Sequence, residues 1–282
     1  MQIQDQIRSA YDEFTKKQKE VANYFYAFPE RTAMQTTVQI AQAVGVSETS
    51  VIRFAYALGY ANFSDLQREM KGELISHRAE PMAEETKDDN RLKQMISEEI
   101  GVLKLMRESV DFTQLSTLVR KIRDADRVMI FGYYGEHTVS FQLYLLLDSL
   151  RPNVFYYREN NDGFRQMAEL NERSLVLATA FYPYSEGTLE LLREVKPKNT
   201  HIFTFTDTPI NEIALASDEV MLLKVTSLPE TGFNVMSPIM MLFYCLSAEY
   251  LEVDRLKALY RLEAIPNQMV QPGTVKKKYL KG

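Results

Sequence analysis

The sequence predicts two domains, an all-α helix-turn-helix bundle followed by an α/β doubly wound sandwich with a five-stranded parallel sheet. Three observations support this fold class. The length of 282 residues is about that of two domains at roughly 150 residues each. Apolar residues recur at helical spacing in residues 1–78. After Asp111, short apolar runs alternate with helical segments, as strands do in a parallel sheet covered on both faces.

The N-terminal domain, residues 1–78, is predicted to be helical throughout. Two runs of apolar residues follow the helical period, and the second run stops at Pro29, a residue that cannot continue a helix. The apolar positions that define these two helices are Ile3, Ile7, Ala10, Tyr11, Phe14, Val21, Tyr24, Phe25 and Phe28.

Residues 79–109 are predicted to connect the two domains. The stretch 79–90 is acidic, contains Pro81 and lacks an apolar face, which is typical of a linker. A long helix is predicted to follow, from about Arg91 to Ser109.

The second domain is placed at residues 110–262, and residues 263–282 are expected to form a solvated tail. Ligands of doubly wound sheets bind at the carboxyl ends of the strands, so the loops that follow the strands are the places to look for binding residues. The five predicted strands lie at 127–132, 153–157, 174–181, 201–206 and 219–225.

Composition excludes several classes of protein. Apolar residues make up 45% of the chain and charged residues 25%, which is far from the composition of a disordered chain. The longest apolar region, 235–251, is interrupted by Pro238 and Glu249, so no membrane span is predicted, and the N-terminus lacks the pattern of a secretory signal. Cys245 is the single cysteine, and the three histidines lack metal-ligand spacing. We expect a cytoplasmic protein with no membrane contact, metal or cofactor.

Charge is unevenly distributed along the chain. The net charge is −5, yet residues 1–78 contain nine basic and nine acidic residues, so all of the excess negative charge lies after Arg78. The N-terminal domain is therefore the better candidate for binding an anion such as DNA.

Residues 37–56 have the spacing of a DNA-reading helix-turn-helix. Gly45 permits the left-handed turn that ends the first helix, and Ser47 is a good N-cap for the second helix. Val51 and Phe54 would face inward from the second helix. An ordinary antiparallel helix pair is the alternative interpretation.

The outward side chains of the second helix are the candidates for DNA contact. Arg53 is the strong cation among them, and it could contact guanine in two places or clamp a phosphate. In the alternative interpretation Arg53 is merely solvated. The predicted DNA-binding residues are Ser47, Glu48, Thr49, Ile52, Arg53 and Tyr56, and the candidates for contact with the DNA backbone are Lys16, Lys17, Lys19, Arg31 and Arg68.

This segment resembles the N-terminal domain of RpiR-type bacterial transcription regulators, whose helix-turn-helix ends in a V-x-R-F…LGY-x-x-F-x-x-L phrase. The chain that follows is similar to the SIS (sugar isomerase) domain of such regulators. The resemblance implies a cytoplasmic regulator whose SIS-type sandwich dimerises and senses a phosphorylated sugar or a related metabolite. The matching residues are Val51, Arg53, Phe54, Leu58, Gly59, Tyr60, Phe63 and Leu66.

The loop after the first strand departs from the G-x-G-x-S pattern that is usual in SIS domains. Gly132 matches the first glycine, whereas Tyr134 stands in the place of the second glycine and Glu136 in the place of the serine. Gly135 offers partial compensation by shifting the turn. A carboxylate about 4 Å from a phosphate costs roughly 1 kcal/mol in water and more in a partly buried cleft. The alternative is a first-turn glutamate that points to solvent.

The loop after the third strand fits the Y-S-x-x-T phrase of these regulators at Tyr184, Ser185 and Thr188. Hydroxyls and free amides at a helix N-terminus favour an anion, while the alternative is that Ser185 only caps the helix. Together with the first loop, the predicted effector-binding residues are Gly132, Gly135, Glu136, Tyr184, Ser185 and Thr188. The effector is then bound mainly by the second loop, or is not a simple sugar phosphate, or is absent.

Three further features have a structural and a functional interpretation. Asn211 stands where SIS domains usually have a serine, and we expect a structural role for it. The apolar helix around 236–251 is either a dimer interface or core. An aromatic cluster could line a pocket or belong to the strand core, and its members are Phe155, Tyr156, Tyr157, Phe181, Tyr182 and Tyr184.

The sequence therefore predicts a transcriptional regulator that is not an enzyme. Its expected partners are a double-stranded DNA operator, a sugar-phosphate-like effector and further copies of the chain in a homodimer or higher homo-oligomer. Two alternatives stay open, an SIS-domain sugar-phosphate isomerase or lyase and a ligand-free dimerisation protein. The residues that could serve as an isomerase base form no recognisable pair, and they are Glu136, His137, Glu159 and Glu186.

Overall fold

The computed structural model describes residues 2–77, 91–223 and 236–269, which form the two predicted domains. The predicted linker 79–90 and residues 270–282 of the predicted tail lie outside the described residues. None of the helices in the described part of the chain is long and apolar enough to cross a membrane.

The N-terminal domain is helical, as predicted. Its core is aromatic, since the Phe54 ring lies 5.4 Å from that of Phe14 and 5.0 Å from that of Phe25, measured between centroids. Its helices are α1 (Gln2–Ala10), α2 (Lys16–Ala27), α3 (Pro29–Thr32), α4 (Thr37–Val44), α5 (Glu48–Ala57) and α6 (Phe63–His77), with a 3-10 turn at Tyr11–Glu13.

Reciprocal side-chain caps fix the starts of α2 and α4. Thr15 caps α2 and Thr36 caps α4, and in each case a glutamine three residues later, Gln18 or Gln39, accepts from the backbone N–H of the cap residue. These caps satisfy amides that would otherwise lack partners at a helix start.

The second domain contains a five-stranded sheet in the order β2-β1-β3-β4-β5, and every neighbouring pair is parallel. This arrangement confirms the predicted doubly wound fold. The strands are β1 (Arg127–Phe131), β2 (Val154–Tyr156), β3 (Ser174–Ala180), β4 (His201–Thr206) and β5 (Glu219–Leu222).

Helices cover both faces of the sheet. Val128 and Ile130 of β1 face one apolar core, while Met129 and Phe131 face the other, because successive strand side chains point to opposite faces. The helices of this part are α7 (Arg91–Ser109), α8 (Phe112–Asp124), α9 (Glu136–Leu150), α10 (Asn161–Ala168), α11 (Glu186–Val195), α12 (Glu212–Ala216), α13 (Met236–Val253) and α14 (Arg255–Met269).

The structure refines two sequence boundaries. Met106 of the predicted connecting helix is buried in the core of the α/β domain and Leu103 packs against that core, so the C-terminal half of α7 packs as part of that domain. Helix α14 extends to Met269, seven residues into the predicted tail, and Arg261 holds it to α9 by donating to the Asp148 carbonyl at 2.7 Å. The apolar period of 255–269 is weak, so this helix depends on its tertiary contacts.

Helix α13 is core on one side and exposed on the other. Pro238, Ile239 and Phe243 are buried against the sheet, whereas Met241 and Tyr244 are exposed. The core interpretation of this helix is therefore correct for one face, and the other face remains available for contact with a partner.

Candidate DNA-reading face and ligand cleft

The turn between α4 and α5 has the geometry that the sequence predicts. Gly45 has φ 77°, in the left-handed region that glycine tolerates. The N–H groups of Gly45 and Val46 both donate to the carbonyl of Ala41, at 2.9 and 3.0 Å. The Ser47 hydroxyl accepts from the Ser50 amide at 3.3 Å and caps α5.

The predicted DNA-binding residues lie along the outer side of α5. Ser47, Glu48, Thr49, Arg53 and Tyr56 are exposed. Ile52, the sixth predicted residue, is half-buried. The inward residues Val51 and Phe54 are fully buried, so the orientation of the helix is set by its core.

Contacts within the domain constrain several of the charged candidates. The Glu48 carboxylate accepts from the Thr37 hydroxyl at 2.6 Å, which ties α5 to α4. Arg68 forms an ion pair with Asp65 at 3.0 Å, and the Lys19 ammonium lies 5.1 Å from the centroid of the Tyr11 ring. In the described part of the chain no ion pair holds Arg53, which leaves its guanidinium available to DNA.

The loop after β1 adopts its turn without help from Gly135. Tyr134 has φ 51°, the left-handed conformation that a glycine would adopt easily, whereas Gly135 has φ −60°. The expected compensation by Gly135 is therefore wrong, and the tyrosine itself takes the strained position. Gly132 is buried, and a Cβ there would lie 2.4 Å from the Ser140 hydroxyl and 2.5 Å from that of Thr179.

Glu136 turns inward from this loop. Its carboxylate is half-buried and accepts from the Phe181 amide at 3.2 Å. Burial raises the pKa of Glu136, the hydrogen bonds from its own amide and that of Phe181 oppose the rise, and the nearby Asp207 charge adds to it. The alternative of a solvent-facing glutamate is wrong. The Glu136 carboxylate accepts the hydrogen bond that the Phe181 amide could otherwise donate to a ligand anion.

Ser185 has an unused hydroxyl at the start of α11. It is the N-cap residue, yet its side chain makes no capping bond, and its Oγ has no hydrogen-bond partner in the described part of the chain although the residue is only 8% exposed. The interpretation of Ser185 as a plain helix cap is therefore wrong. Thr188, one turn later, is buried below it. An orphaned hydroxyl at a helix N-terminus is suited to a polar ligand group.

Tyr133 covers the same helix start, and sequence reasoning did not select it. A Cβ on Gly187 would lie 3.2 Å from the Tyr133 ring, so the absence of a side chain at Gly187 makes room for the ring. The Tyr133 hydroxyl donates to Glu159 at 2.7 Å. The N-terminus of α11 is thus partly closed by an aromatic side chain.

Asp207, at the carboxyl end of β4, holds the loop after β3, and it was not among the predicted binding residues. Its carboxylate accepts from the Tyr184 hydroxyl at 2.7 Å and from the Tyr182 amide at 3.1 Å. Burial raises the pKa of Asp207 to about 6, against the opposing effect of these hydrogen bonds. A polar residue directly after a buried strand was the available signal, because such positions line the ligand edge of a parallel sheet.

The remaining sequence candidates separate into structural and cleft residues. Asn211 caps α12 by accepting from the Ala214 amide at 2.6 Å, as expected for a structural role. Of the aromatic cluster, Phe155, Tyr156, Tyr157 and Phe181 are buried, and Tyr182 and Tyr184 are half-buried at the cleft. A search of the described residues finds no group of three or more side chains suited to a metal ion.

Two protein-family models match this chain. The helix-turn-helix domain of the rpiR family matches residues 1–77, and the SIS domain matches residues 121–248. The N-terminal domain belongs to the rpiR helix-turn-helix family, and the second domain belongs to the SIS family. The chain is a transcriptional regulator with a helix-turn-helix and an SIS domain, and the two matches lie within the two domains of the structure.

Several bacterial proteins are similar to this chain. An uncharacterised HTH-type transcriptional regulator of Haemophilus influenzae is 22% identical over 222 residues, which cover 75% of this chain and 77% of the relative. The solved structure of Vibrio vulnificus NanR complexed with ManNAc-6P has a TM-score of 0.60 at 16% identity and covers 97% of this chain and 99% of that one. The sugar isomerase domain of an RpiR transcription factor from Sphaerobacter thermophilus has a TM-score of 0.56 at 18% identity, over 63% of this chain and 98% of that one.

The raised pKa of Asp207 predicts a specific pH dependence of stability. The folded state favours the neutral Asp207 carboxyl group. The contribution of this group to the free energy of unfolding is therefore fully present below the unfolded pKa of about 4 and is lost as pH rises through about 6. Relative to Asp207→Asn, the wild type should lose at most about 3 kcal/mol of unfolding free energy between pH 4 and pH 7.5. Urea unfolding at a series of pH values measures this difference.

Asp218 provides a control of opposite sign. Burial alone would raise its pKa, but hydrogen bonds from Lys196 and from the Ile202 amide outweigh burial and lower it. The contribution of Asp218 is therefore present above the unfolded pKa and is lost as pH falls. If Asp207→Asn and Asp218→Asn shift the pH profile in the same direction, the assignment of Asp207 is wrong.

Proposed function

We propose that this regulator reads duplex DNA with the exposed side of α5, assembles as a dimer through its SIS domain, and responds to a carbohydrate derivative bound between the loops after β1 and β3. The proposal of DNA reading rests on the exposed side of α5, the helix that follows the left-handed turn at Gly45. The unused hydroxyl of Ser185 carries the ligand part.

DNA recognition follows from the geometry of α5. A recognition helix places its N-terminal residues in the major groove, where side chains reach base edges, and phosphate contacts fix its register. Ser47 and Thr49 offer hydroxyls at that end, and Arg53 offers a fork of donors one turn further on. Lys16 and Lys17, exposed at the start of α2, are suited to the sugar-phosphate backbone.

Ligand binding follows from the groups that face the cleft. Ser185 offers a free hydroxyl at the N-terminus of α11, and the NanR structure bound to ManNAc-6P supports a carbohydrate derivative in an SIS domain. Glu136 already accepts from the Phe181 amide, and Tyr133 covers Gly187. The Glu136 carboxylate disfavours a phosphate against the first loop, so the second loop carries the main contacts, although Tyr133 partly covers the start of its helix.

A sensor role explains the cleft better than isomerase chemistry does. An isomerase needs a base that can reach the substrate carbon. Three of the four candidate bases contact other groups, since Glu136 is bound to the Phe181 amide, Glu159 to the Tyr133 hydroxyl, and the His137 ring packs against Tyr156 at 5.1 Å between centroids. The fourth, Glu186, is exposed.

Dimerisation is supported by exposed apolar side chains on two adjacent helices. Leu145 on α9 and Met241 and Tyr244 on α13 are exposed on the side away from the sheet. Two-fold pairing of this surface would bring two helix-turn-helix units onto two half-sites, which a weakly charged DNA-binding domain needs for adequate affinity.

Arg53→Ala should weaken DNA binding about 10- to 100-fold, because a bidentate base contact or a phosphate clamp is lost. The DNA is the duplex enriched by in vitro selection on the wild-type chain, and binding is measured by fluorescence anisotropy at several salt concentrations. Arg255→Ala, an exposed arginine of α14, is the matched control and should bind as the wild type does. Equal affinity of Arg53→Ala and the wild type would contradict the role of α5.

Glu136→Ser should increase the affinity for phosphate-bearing ligands at least about fivefold, because a partly buried like charge is removed. Isothermal titration with ManNAc-6P and with inorganic phosphate measures the change. Glu186→Ser is the matched control, since Glu186 is also a first-turn glutamate at this edge but is exposed. If Glu136→Ser and Glu186→Ser bind these ligands equally, the carboxylate of Glu136 does not govern the cleft.

The double variant Met241→Glu with Tyr244→Glu should sediment as a monomer while the wild type sediments as a dimer, because charges would be buried unpaired in the interface. Leu256→Glu, which alters an exposed apolar residue of α14, should leave the dimer intact. Analytical ultracentrifugation measures the oligomeric state of the wild type and of both variants. A monomeric wild type would refute the proposed dimer.

A further inference from the structure

The helical domain packs directly on the loops that follow β3 and β4. The Tyr182 ring lies edge-on to Phe28 at 5.1 Å and to Tyr24 at 5.8 Å, measured between centroids. Ile210, in the loop after β4, is 2% exposed and belongs to the apolar core of the helical domain. We call these four residues the seam. One wall of the ligand cleft and the DNA-reading domain therefore share a packed interface.

Helix α2 connects the seam to the recognition helix. At its C-terminal end, Tyr24 lies in the seam and the adjacent Phe25 packs on Phe54 of α5, with ring centroids 5.0 Å apart. At its N-terminal end, the Gln18 side chain donates to the Arg53 carbonyl at 3.3 Å. Because interiors are closely packed, a shift of the seam end of α2 must be accommodated at α5.

The cleft side of the seam is held by the carboxylates of Glu136 and Asp207. Glu136 accepts a hydrogen bond from the Phe181 amide, and Asp207 accepts one from the Tyr182 amide. The two carboxylates therefore hold the backbone from which the Tyr182 ring extends. Ser185, with its free hydroxyl, follows three residues later. A ligand that engages Ser185 or displaces Glu136 has to change the segment that carries Tyr182.

We propose that Tyr182 and helix α2 couple the ligand cleft to the recognition helix within one chain. A ligand in the cleft changes how the Tyr182 ring packs on Tyr24 and Phe28. This change shifts α2, and the shift of α2 alters the tilt of α5 relative to the DNA. This inference rests on the proposed function, since it specifies how the ligand site would regulate DNA binding. Coupling is reciprocal, so DNA on α5 must also change the loop 181–184.

Hydrogen exchange of the free protein tests the contact itself. In Tyr182→Ala the amides of residues 24–28 should exchange about tenfold faster, because two edge-to-face ring contacts are lost. Tyr182→Phe keeps the ring and should match the wild type, as should Tyr260→Ala, which removes an exposed ring of α14. Unchanged exchange in Tyr182→Ala would show that the seam does not hold α2, and the proposal would be abandoned.

Hydrogen exchange with bound DNA tests the coupling. The probe is the duplex enriched by in vitro selection on the wild-type chain. In the wild type and in Tyr182→Phe, DNA should change the exchange of peptide 181–188 severalfold. In Tyr182→Ala, DNA should still protect residues 37–57, but the change at 181–188 should disappear.

The outcomes separate failure of the coupling from failure of the proposed function. If DNA protects 37–57 without any change at 181–188 in the wild type, or if that change persists in Tyr182→Ala, the coupling path is refuted while DNA reading stands. If no duplex is enriched and 37–57 are never protected, DNA reading by α5 fails, and the coupling fails with it.

Discussion

The pairing of β1 with β3 is the constraint on which the ligand cleft depends. These strands are neighbours in the sheet although β2 lies between them in sequence, and their parallel register aligns Phe131 with Ala178. Both strands end at the same edge, so the loops that follow them meet. Glu136 can then reach the Phe181 amide, 45 residues further along the chain. At this crossing point of the chain a doubly wound sheet leaves room for a ligand.

The chemistry of that cleft differs from a simple phosphate cradle. A carboxylate of the protein accepts from a loop amide, a tyrosine covers the start of α11, and one serine hydroxyl is left without a partner. Burying a polar group without a hydrogen bond is costly, which is the reason for our proposal that the Ser185 hydroxyl binds a ligand group.

The helical domain has two sides with different tasks. Its outer side exposes Thr49 and Arg53, and its inner side packs Tyr24 and Phe28 on Tyr182. Phe54 and Phe25 lie between them and connect α5 to α2. Because packed interfaces have few alternative arrangements, a helical domain held by aromatic packing on the edge of the α/β domain can respond to small changes at that edge.

The sequence by itself determined the elements and the DNA-reading motif. The helical period, the alternation of apolar runs with helices, and the local pattern of Gly45 and Ser47 depend on near neighbours in the chain, so they can be recognised without the fold. Only the tertiary structure decided the role of the cleft residues. Which distant loops meet at the sheet edge decides whether a cleft side chain has a hydrogen-bond partner, as Glu136 and Asp207 do, or lacks one, as Ser185 does. The packing of Tyr182 on Tyr24 joins residues more than 150 positions apart. No local pattern encodes such contacts, since they arise from the order of the strands and the docking of one domain on the other.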